Sequence, residues 1–287
     1  MIKSKSFVLS ATFPSSKKGE DGMRHALELL APWGFDTIEY YSADVSPDRM
    51  AALMQGKRCI FLAGARQKME NLNPSSLDRD IREKAISGLG DCFHYARQAG
   101  ADAVLLSSGV RPANEKDDAE CLTLLTDSLS RLHELEPGLP ILLEPGDRDV
   151  EYRHLLGPTK RVAEFVSGCR DRGIPLGITF DISHVAQLGE NLEEAWSIAR
   201  PYCDHVHFAN CVLKKGSPIY GDKHPFFEVP DGVYTHKNAR DFLAGLQREE
   251  SPLTVSLEMI CPQDEKEDNF FERLRTDTGW FFLINNV

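Results

Sequence analysis

"PLGITFDISHVAQLGENLEEAWSIARPYCDHVHFAN", residues 175–210, carries the pattern that decides the fold. Two short β-rich runs, 175–181 and 204–210, flank a segment of helical period at 190–200. Strands joined through a helix are typical of a βαβ unit, because parallel neighbours need a long crossover connection. The stretch therefore predicts a sheet of parallel strands in this half of the chain.

The same alternation extends along the whole chain. The further strands are predicted at 6–12, 35–41, 58–65, 102–108, 140–144 and 252–259, and the helices at 21–33, 46–56, 77–99, 114–136, 153–173, 190–200, 236–249 and 268–285. Such strand–helix units, without a Gly/Ser/Pro-rich linker between them, match the size of a (β/α)8 TIM barrel, and we expect one α/β domain over residues 1–287. An open doubly wound sheet is the alternative, but no predicted strand is followed by a Gly-rich nucleotide-binding turn.

Composition limits the class of partner. The formal net charge of −11 disfavours a broad phosphate-binding surface, so we expect a small-molecule substrate and no nucleic acid. The seven cysteines form no C-x-x-C pair, which disfavours a disulfide framework and makes a reducing cytoplasm the default location. The N-terminus shows no convincing cleavage signal, and no stretch reaches the roughly 18 apolar residues of a membrane span, so we expect no membrane partner.

The last four predicted strands end in residues that can bind a metal or move a proton. These residues are Glu144, Asp181, His207 and Glu258. In a barrel of parallel strands the active site lies at the C-terminal ends of the strands, so the four side chains are expected to converge. Side chains alternate across a strand, and small or polar residues such as Thr179 share the face of Asp181. That polar face is predicted to point into the barrel, and His205, on the face of His207, is expected to orient the site.

Convergence of three carboxylates and an imidazole predicts a metal. Like charges this close resist ionisation unless a cation neutralises them. Oxygen-rich ligation with one nitrogen suits Mn²⁺ or Mg²⁺ first, with Co²⁺ and Zn²⁺ also acceptable. The alternative for any one position alone is a solvated loop residue or a helix N-cap, and Asp181 could cap the helix that follows it.

Taken together, "LLEPGDRD" (142–149), "FDISH" (180–184), "HVH" (205–207) and Glu258 resemble the metal centre of the xylose-isomerase-like TIM-barrel superfamily. That superfamily includes sugar isomerases and epimerases, inosose dehydratases and the family 2 abasic-site endonucleases. The resemblance covers nearly the whole chain and is strongest from "LLEPGDRD" onwards. It implies that Glu144, Asp181, His207 and Glu258 bind the metal and that His184 binds substrate.

The resemblance and the residue chemistry together predict an isomerase or epimerase that depends on a divalent metal. Its substrate would be a small keto-sugar, polyol or sugar acid, and Glu144 and Glu258 would act as acid and base around a metal-stabilised enediolate. A lyase on the same scaffold, namely an inosose-type dehydratase, a decarboxylase or an oxo-sugar deglycosidase, is the main alternative. A metal-dependent abasic-site endonuclease is the less favoured one.

The loop "YGDKHPFFEVPDG" (220–232) contains a further pair of candidate site residues, Asp222 and His224. The pair resembles the additional metal ligands of the endonuclease branch, and the sequence leaves open whether it binds metal, binds substrate or only orders the loop. The histidines which that branch carries on strands two and three are missing, and strand two offers Glu39 instead. The arginine of the ketose 3-epimerases, six residues after the metal-binding histidine, is Leu213 here, with Lys214 as its nearest substitute.

Two arginines are candidates for binding a substrate carboxylate or phosphate. Arg66 follows strand three and Arg111 follows strand four, and a guanidinium offers a planar fork of donors. A surface salt bridge is the alternative for either residue. The C-terminal "GWFFLINNV" (279–287) is apolar, and we expect it to pack on the barrel or on a second subunit of a homo-oligomer.

Overall fold

The computed structural model describes residues 2–42 and 44–284. Its strands form one closed barrel in chain order, and every neighbouring pair is parallel. The strands are β1 (Ile2–Val8), β2 (Thr37–Tyr40), β3 (Arg58–Leu62), β4 (Ala103–Ser107), β5 (Ile141–Glu144), β6 (Leu176–Asp181), β7 (Cys203–Phe208) and β8 (Leu253–Leu257). The predicted (β/α)8 barrel is therefore confirmed.

Helices surround the barrel. They are α1 (Leu9–Thr12), α2 (Glu20–Leu30), α3 (Pro47–Leu53), α4 (Ala63–Glu70), α5 (Arg79–Gln98), α6 (Asp118–Leu135), α7 (Thr159–Asp171), α8 (Ile182–Gln187), α9 (Leu192–Ala199), α10 (His236–Leu246), α11 (Glu267–Asp277) and α12 (Gly279–Phe282). Short 3₁₀ helices lie at Pro14–Lys18, Ala31–Trp33, Glu115–Asp117 and Arg200–Tyr202. Within the described ranges, no helix is both long and apolar enough to cross a membrane.

Strand register brings the candidate ligands to one end of the barrel. Glu144 pairs with Ser107 across β5 and β4, and Asp181 pairs with His207 across β6 and β7. His207 in turn pairs with Ser256, two residues before Glu258. Because all strands are parallel, these positions meet at the end where the strands finish, which we call the barrel mouth.

Two predicted strands are too long at their C-terminal ends. The run predicted at 6–12 is β-structure only to Val8, and Leu9–Thr12 is helical. The run predicted at 58–65 ends at Leu62, where α4 begins. Leu9 and Ala63, the first residues after these strand ends, are still buried, so the apolar run continues although the backbone has changed. The other six strands begin and end within two residues of the prediction.

The segment after β5 is the largest departure from the predicted helices. A helix was expected from 153, but α7 begins only at Thr159, and residues 145–158 form a loop. The buried carboxylate of Asp147 accepts backbone N–H groups from Val150, Glu151 and Tyr152 at 2.6, 2.8 and 2.7 Å. A side chain that satisfies three successive N–H groups competes with helix formation, and it holds the loop in place.

The predicted helix 268–285 is divided into α11 and α12 at Thr278, and residues 285–287 of the apolar C-terminal segment lie outside the described part of the chain. As expected, the described part of that segment packs on the barrel. The ammonium of Lys5, on β1, donates to the carbonyl oxygens of Phe282 at 2.8 Å and Ile284 at 3.1 Å. The ring of Phe282 lies 5.3 Å from that of Phe35, centroid to centroid.

Candidate metal centre

Four side chains gather at the barrel mouth. Each of Glu144, Asp181, His207 and Glu258 offers one ligand atom, and these atoms lie within 4.8 Å of one another. His207 Nδ1 is 2.9 Å from Glu258 Oε2, 3.1 Å from Glu144 Oε1 and 3.9 Å from Asp181 Oδ2. The side chains of Glu144 and Glu258 are 20 % and 18 % exposed, whereas Asp181 and His207 are buried. The two glutamates therefore form the side of the cluster that a substrate can reach.

The ligand atoms of this cluster are orphaned. Glu144 Oε1, Asp181 Oδ2, His207 Nδ1 and Glu258 Oε2 are buried and have no hydrogen-bond partner. Buried polar atoms without partners are rare in folded proteins, because each one costs free energy. A divalent cation would satisfy all four together, and three carboxylates with one imidazole suit such an ion. The residues present therefore fit a metal site.

A buried carboxylate on β2 orients the imidazole ligand. Glu39 Oε2 lies 2.8 Å from His207 Nε2, and Glu39 Oε1 accepts from the Ser6 hydroxyl at 2.8 Å and lies 3.1 Å from His205 Nε2. An ionised carboxylate only accepts, so His207 Nε2 carries a proton, and Nδ1 is the nitrogen that faces the cluster and can bind a metal once it is deprotonated. Glu39 was not predicted as a site residue. The available signal was a charged residue inside an otherwise buried strand, "TIEY".

Charge balance beneath the cluster follows from these contacts. Burial opposes the charge of Glu39, but His205 and His207 outweigh it and hold the pKa of Glu39 well below its usual value. Burial likewise opposes protonation of His207, and Glu39, Glu144 and Glu258 nevertheless raise the pKa of His207 well above its usual value. In the metal-free protein an imidazolium therefore neutralises the carboxylates, and a cation must displace that proton.

The candidate site residues His184, Asp222 and His224 lie beside Asp181, next to the first cluster. Ligand atoms of Asp181, His184 and His224 lie within 4.8 Å of one another. Asp222 Oδ1 accepts from Gln187 Nε2 at 3.0 Å and lies 2.8 Å from His224 Nε2. The Nδ1 atoms of His184 and His224 are buried without a hydrogen-bond partner. Both imidazoles thus present an unused nitrogen at the barrel mouth.

Asp222 and His224 form an ion pair. Burial opposes protonation of His224, but Asp222 and then Glu258 raise its pKa to about 10. Burial also opposes the charge of Asp222, and the two imidazoles lower its pKa. His224 Nδ1 lies 3.6 Å from Glu258 Oε2. In the protein without metal, His224 therefore offers a charged donor next to the candidate base.

The sequence model of the xylose isomerase-like TIM barrel family matches residues 27–276. The chain belongs to this family. Solved structures with the same fold include a D-tagatose 3-epimerase-like protein, at 20 % identity over 97 % of this chain and 98 % of the other, with a TM-score of 0.65. An AP endonuclease of family 2 from Brucella melitensis has 15 % identity over 98 % of each chain and a TM-score of 0.71.

A third structure of this fold is the IolI protein with a bound zinc atom, at 17 % identity over 97 % of this chain and 98 % of the other, with a TM-score of 0.68. No protein of curated function matches the chain in sequence. At these identities, likeness to the solved structures establishes the fold and leaves the reaction open.

All three basic residues predicted to bind substrate have other partners in the structure. Arg66 pairs with Glu70 at 2.8 Å and donates to the carbonyl oxygen of Gly88 at 2.9 Å. Arg111 pairs with Asp149 at 2.6 Å, and Lys214 pairs with Asp231 at 2.9 Å. The sequence indicated which strand each cation follows but not which carboxylate lies next to it. The contacts of these three residues therefore give no support for a role in binding substrate.

Proposed function

We propose that the protein is a divalent-metal-dependent isomerase or epimerase of a small keto-sugar, polyol or sugar acid. The observation that carries the proposal is the arrangement of Glu144 and Glu258. Each directs one orphaned oxygen at the ligand cluster and remains partly exposed. A carboxylate that binds an ion with one oxygen keeps the other for a substrate proton, which is the arrangement that acid–base chemistry on a chelated carbonyl compound requires.

The residues divide the work according to their burial. A bound divalent ion would chelate two neighbouring substrate oxygens and stabilise the negative charge that develops when a proton leaves the carbon beside the carbonyl. Asp181 and His207, both buried, hold the ion, and Glu39 keeps the His207 ring in place. Glu258 removes the proton and Glu144 returns one from the other side. His184 and His224 hydrogen-bond substrate oxygens through their free Nδ1 atoms.

The carbon that receives the returned proton decides the product. Return to the same carbon from the opposite face gives an epimer, and return to the neighbouring carbon gives an isomer. Loss of a neighbouring hydroxyl would instead make the enzyme a lyase, the main alternative. Two observations argue against the endonuclease. The net charge of the chain is −11. On β2, where the endonuclease branch carries a histidine, this chain has Glu39, which is hydrogen-bonded to His207.

Family membership and the epimerase-like structural neighbour support a sugar substrate, and the zinc atom named in the IolI structure supports a bound metal ion in a protein of this fold. Mn²⁺ or Mg²⁺ remains our expectation for this chain because its ligand cluster contains three carboxylates and one imidazole.

Solvent exchange tests the proposal directly. Wild-type protein supplied with Mn²⁺ should bind one ion per chain and incorporate deuterium from D₂O into one member of a panel of ketoses, polyols and sugar acids, measured by NMR after removal of the ion. Glu258→Gln should keep the fold and lose the exchange by at least about a hundredfold, the range expected for a general base. Full exchange in this variant would show that the assigned base is wrong. Release of water, CO₂ or an aglycone would identify the lyase instead.

A further inference from the structure

The loop of residues 145–158 brings two aromatic rings to the barrel mouth. Tyr152 and His154 are stacked, with centroids 5.8 Å apart and planes at 18°. Burial and then the charge of Asp222 raise the pKa of Tyr152, and Glu258 adds to the same effect. Burial and then the charge of His184 lower the pKa of His154 to about 4. The loop also contacts the segment of Asp222, whose backbone N–H donates to Glu151 at 2.9 Å, so the rings lie on the side of the candidate metal centre, and His154 is neutral at physiological pH.

Two lysines outside this loop also lie on the mouth side of the barrel. The ammonium of Lys68, on α4, donates to the Tyr152 hydroxyl and lies 4.3 Å from the centroid of its ring. Lys17 lies in the 3₁₀ helix that follows β1, and its half-buried side chain makes no hydrogen bond or ion pair within residues 2–42 and 44–284. Lys17 and Lys68 follow the C-terminal ends of β1 and β3, so both lie on the mouth side of the barrel. Burial and then the charge of Lys68 lower the pKa of Lys17, and the charge of Glu267 opposes this effect.

Several basic residues near the barrel mouth already have a carboxylate partner. Arg66, Arg111, Lys214 and Lys223 are each paired with a carboxylate. Among the described residues no carboxylate lies within ion-pair distance of Lys17 or Lys68, although the chain carries 44 Asp and Glu against 33 Lys and Arg. Lysines without a carboxylate partner, one of them half-buried, lower the stability of the folded protein unless an anion binds to them.

We propose that the substrate carries an anionic group, a carboxylate or a phosphate, at the end remote from the carbon that exchanges its proton, and that Lys17, Lys68 and Tyr152 bind this group. His154, stacked on Tyr152, hydrogen-bonds the hydroxyls of the intervening chain. The inference rests on the proposed function, because it takes the metal centre as the place where the other end of the substrate binds. Neutral sugars would then be poor substrates.

Matched substrates test this subsite. Three ketoses of equal length are compared, which end in a hydroxymethyl group, a carboxylate or a phosphate ester, and kcat/KM for deuterium exchange is measured for each. Wild-type protein should prefer one anionic member, and which one it prefers distinguishes carboxylate from phosphate. The double variant Lys17→Met/Lys68→Met should lose about a hundredfold in kcat/KM on that member, mainly through KM, because each charged hydrogen bond accounts for about tenfold. Its loss on the neutral ketose should be much smaller, because that substrate has no charged group for the two lysines to bind.

The single variants Lys17→Met and Lys68→Met are compared with Lys215→Met as the matched control, since Lys215 is an exposed lysine on another loop and each of the three changes removes one positive charge. The control should leave all three values unchanged, and a loss equal to that of a single Lys17 or Lys68 variant would overturn the subsite. Equal kcat/KM of the wild type for neutral and anionic ketoses would overturn it as well. Unchanged thermal unfolding of each variant shows that any loss is not a folding defect.

Binding of inorganic phosphate and of acetate separates this inference from the proposed function. Calorimetric titration of the metal-free proteins should show that the wild type binds one of these anions at least about tenfold more tightly than the double variant. If no ketose exchanges deuterium but the two proteins still differ in anion binding, the proposed function is wrong and the subsite stands. Equal binding of both anions by both proteins overturns the subsite.

Discussion

Glu39 shows how much a single buried carboxylate can determine. It contacts both histidines of β7 and the hydroxyl of Ser6, and none of its atoms reaches solvent. A hydrogen bond from the far side of an imidazole fixes which nitrogen is free and where it points. The position of the metal-facing nitrogen of His207 therefore depends on a strand on the opposite side of the barrel.

Glu39→Gln should weaken metal binding by about 10- to 100-fold, the usual loss when the hydrogen-bonding partner of a ligand is changed. The amide removes the charge that holds the His207 proton on Nε2 and can present a donor in its place. Competition of Mn²⁺ between the protein and a chelating dye measures the effect. Glu83→Gln, which changes a surface carboxylate paired with Arg131, is the control and should bind metal like the wild type. Equal affinity in all three proteins would mean that packing alone orients the ring.

The loop between β5 and α7 is held at both ends of the segment that crosses the mouth. Asp147 anchors its backbone, and Arg148 donates to the carbonyl oxygen of Leu155 at 2.7 Å and to Asp118 at 3.1 Å. Gly146 leaves the space into which the His154 ring fits, since a Cβ at this position would lie 1.9 Å from His154 Nδ1. The position of the His154 ring therefore depends on the absence of a side chain at Gly146.

Gly146→Ala should displace His154 and lower kcat/KM for deuterium exchange by at least about tenfold, because small misplacements of substrate-positioning groups are costly. Metal affinity should stay within about twofold, since the four ligands lie on other backbone positions. Gly168→Ala is the control: a Cβ at this helical position has nothing within 4 Å. It should leave the kinetics unchanged and add about 0.5–1 kcal/mol to the free energy of unfolding. Wild-type kinetics in Gly146→Ala would argue against a role for the loop.

Metal binding and stability are coupled across the whole barrel, because the ligands come from four different strands or strand ends. An ion at 100 times its Kd stabilises the folded state by about 2.7 kcal/mol. The size of the effect depends on pH through His207, whose pKa is raised well above its usual value in the metal-free protein. A proton there stabilises the metal-free fold at low pH, and this contribution is lost as pH rises through the folded-state pKa.

The rise in Tm on adding Mn²⁺ should therefore be larger at pH about 8 than at pH about 6, because the ion then displaces less bound proton. Calorimetry at both pH values, with and without the ion, measures the two shifts. His133→Gln, which removes another histidine of the chain away from the four ligands, should show the same pH dependence as the wild type. A shift that is equal at the two pH values would contradict the proposed exchange of proton for metal.

The sequence predicted the parts of the site that depend on local order along a strand. Glu144 and Asp181 end strands, and the alternation of side chains along β6 indicates that Asp181 shares a face with Thr179. Contacts that depend on which strands or helices become neighbours were not predictable in this way. The role of Glu39 requires the closed barrel, and the hydrogen bond from Arg66 to the carbonyl oxygen of Gly88 requires the packing of α4 on α5.

Barrel closure has a consequence for the time course of folding. The first strand pairs along its length with the last, from Ile2 with Leu253 to Phe7 with Leu257, and Lys5 also holds the carbonyl oxygens near the end of α12. During synthesis, the edge of β1 that pairs with β8 stays unpaired until some 250 further residues have been made. Pairings this far apart in sequence form slowly, and an open edge invites other chains to add to it. A chaperone that shields this edge during translation would therefore increase the yield of soluble protein.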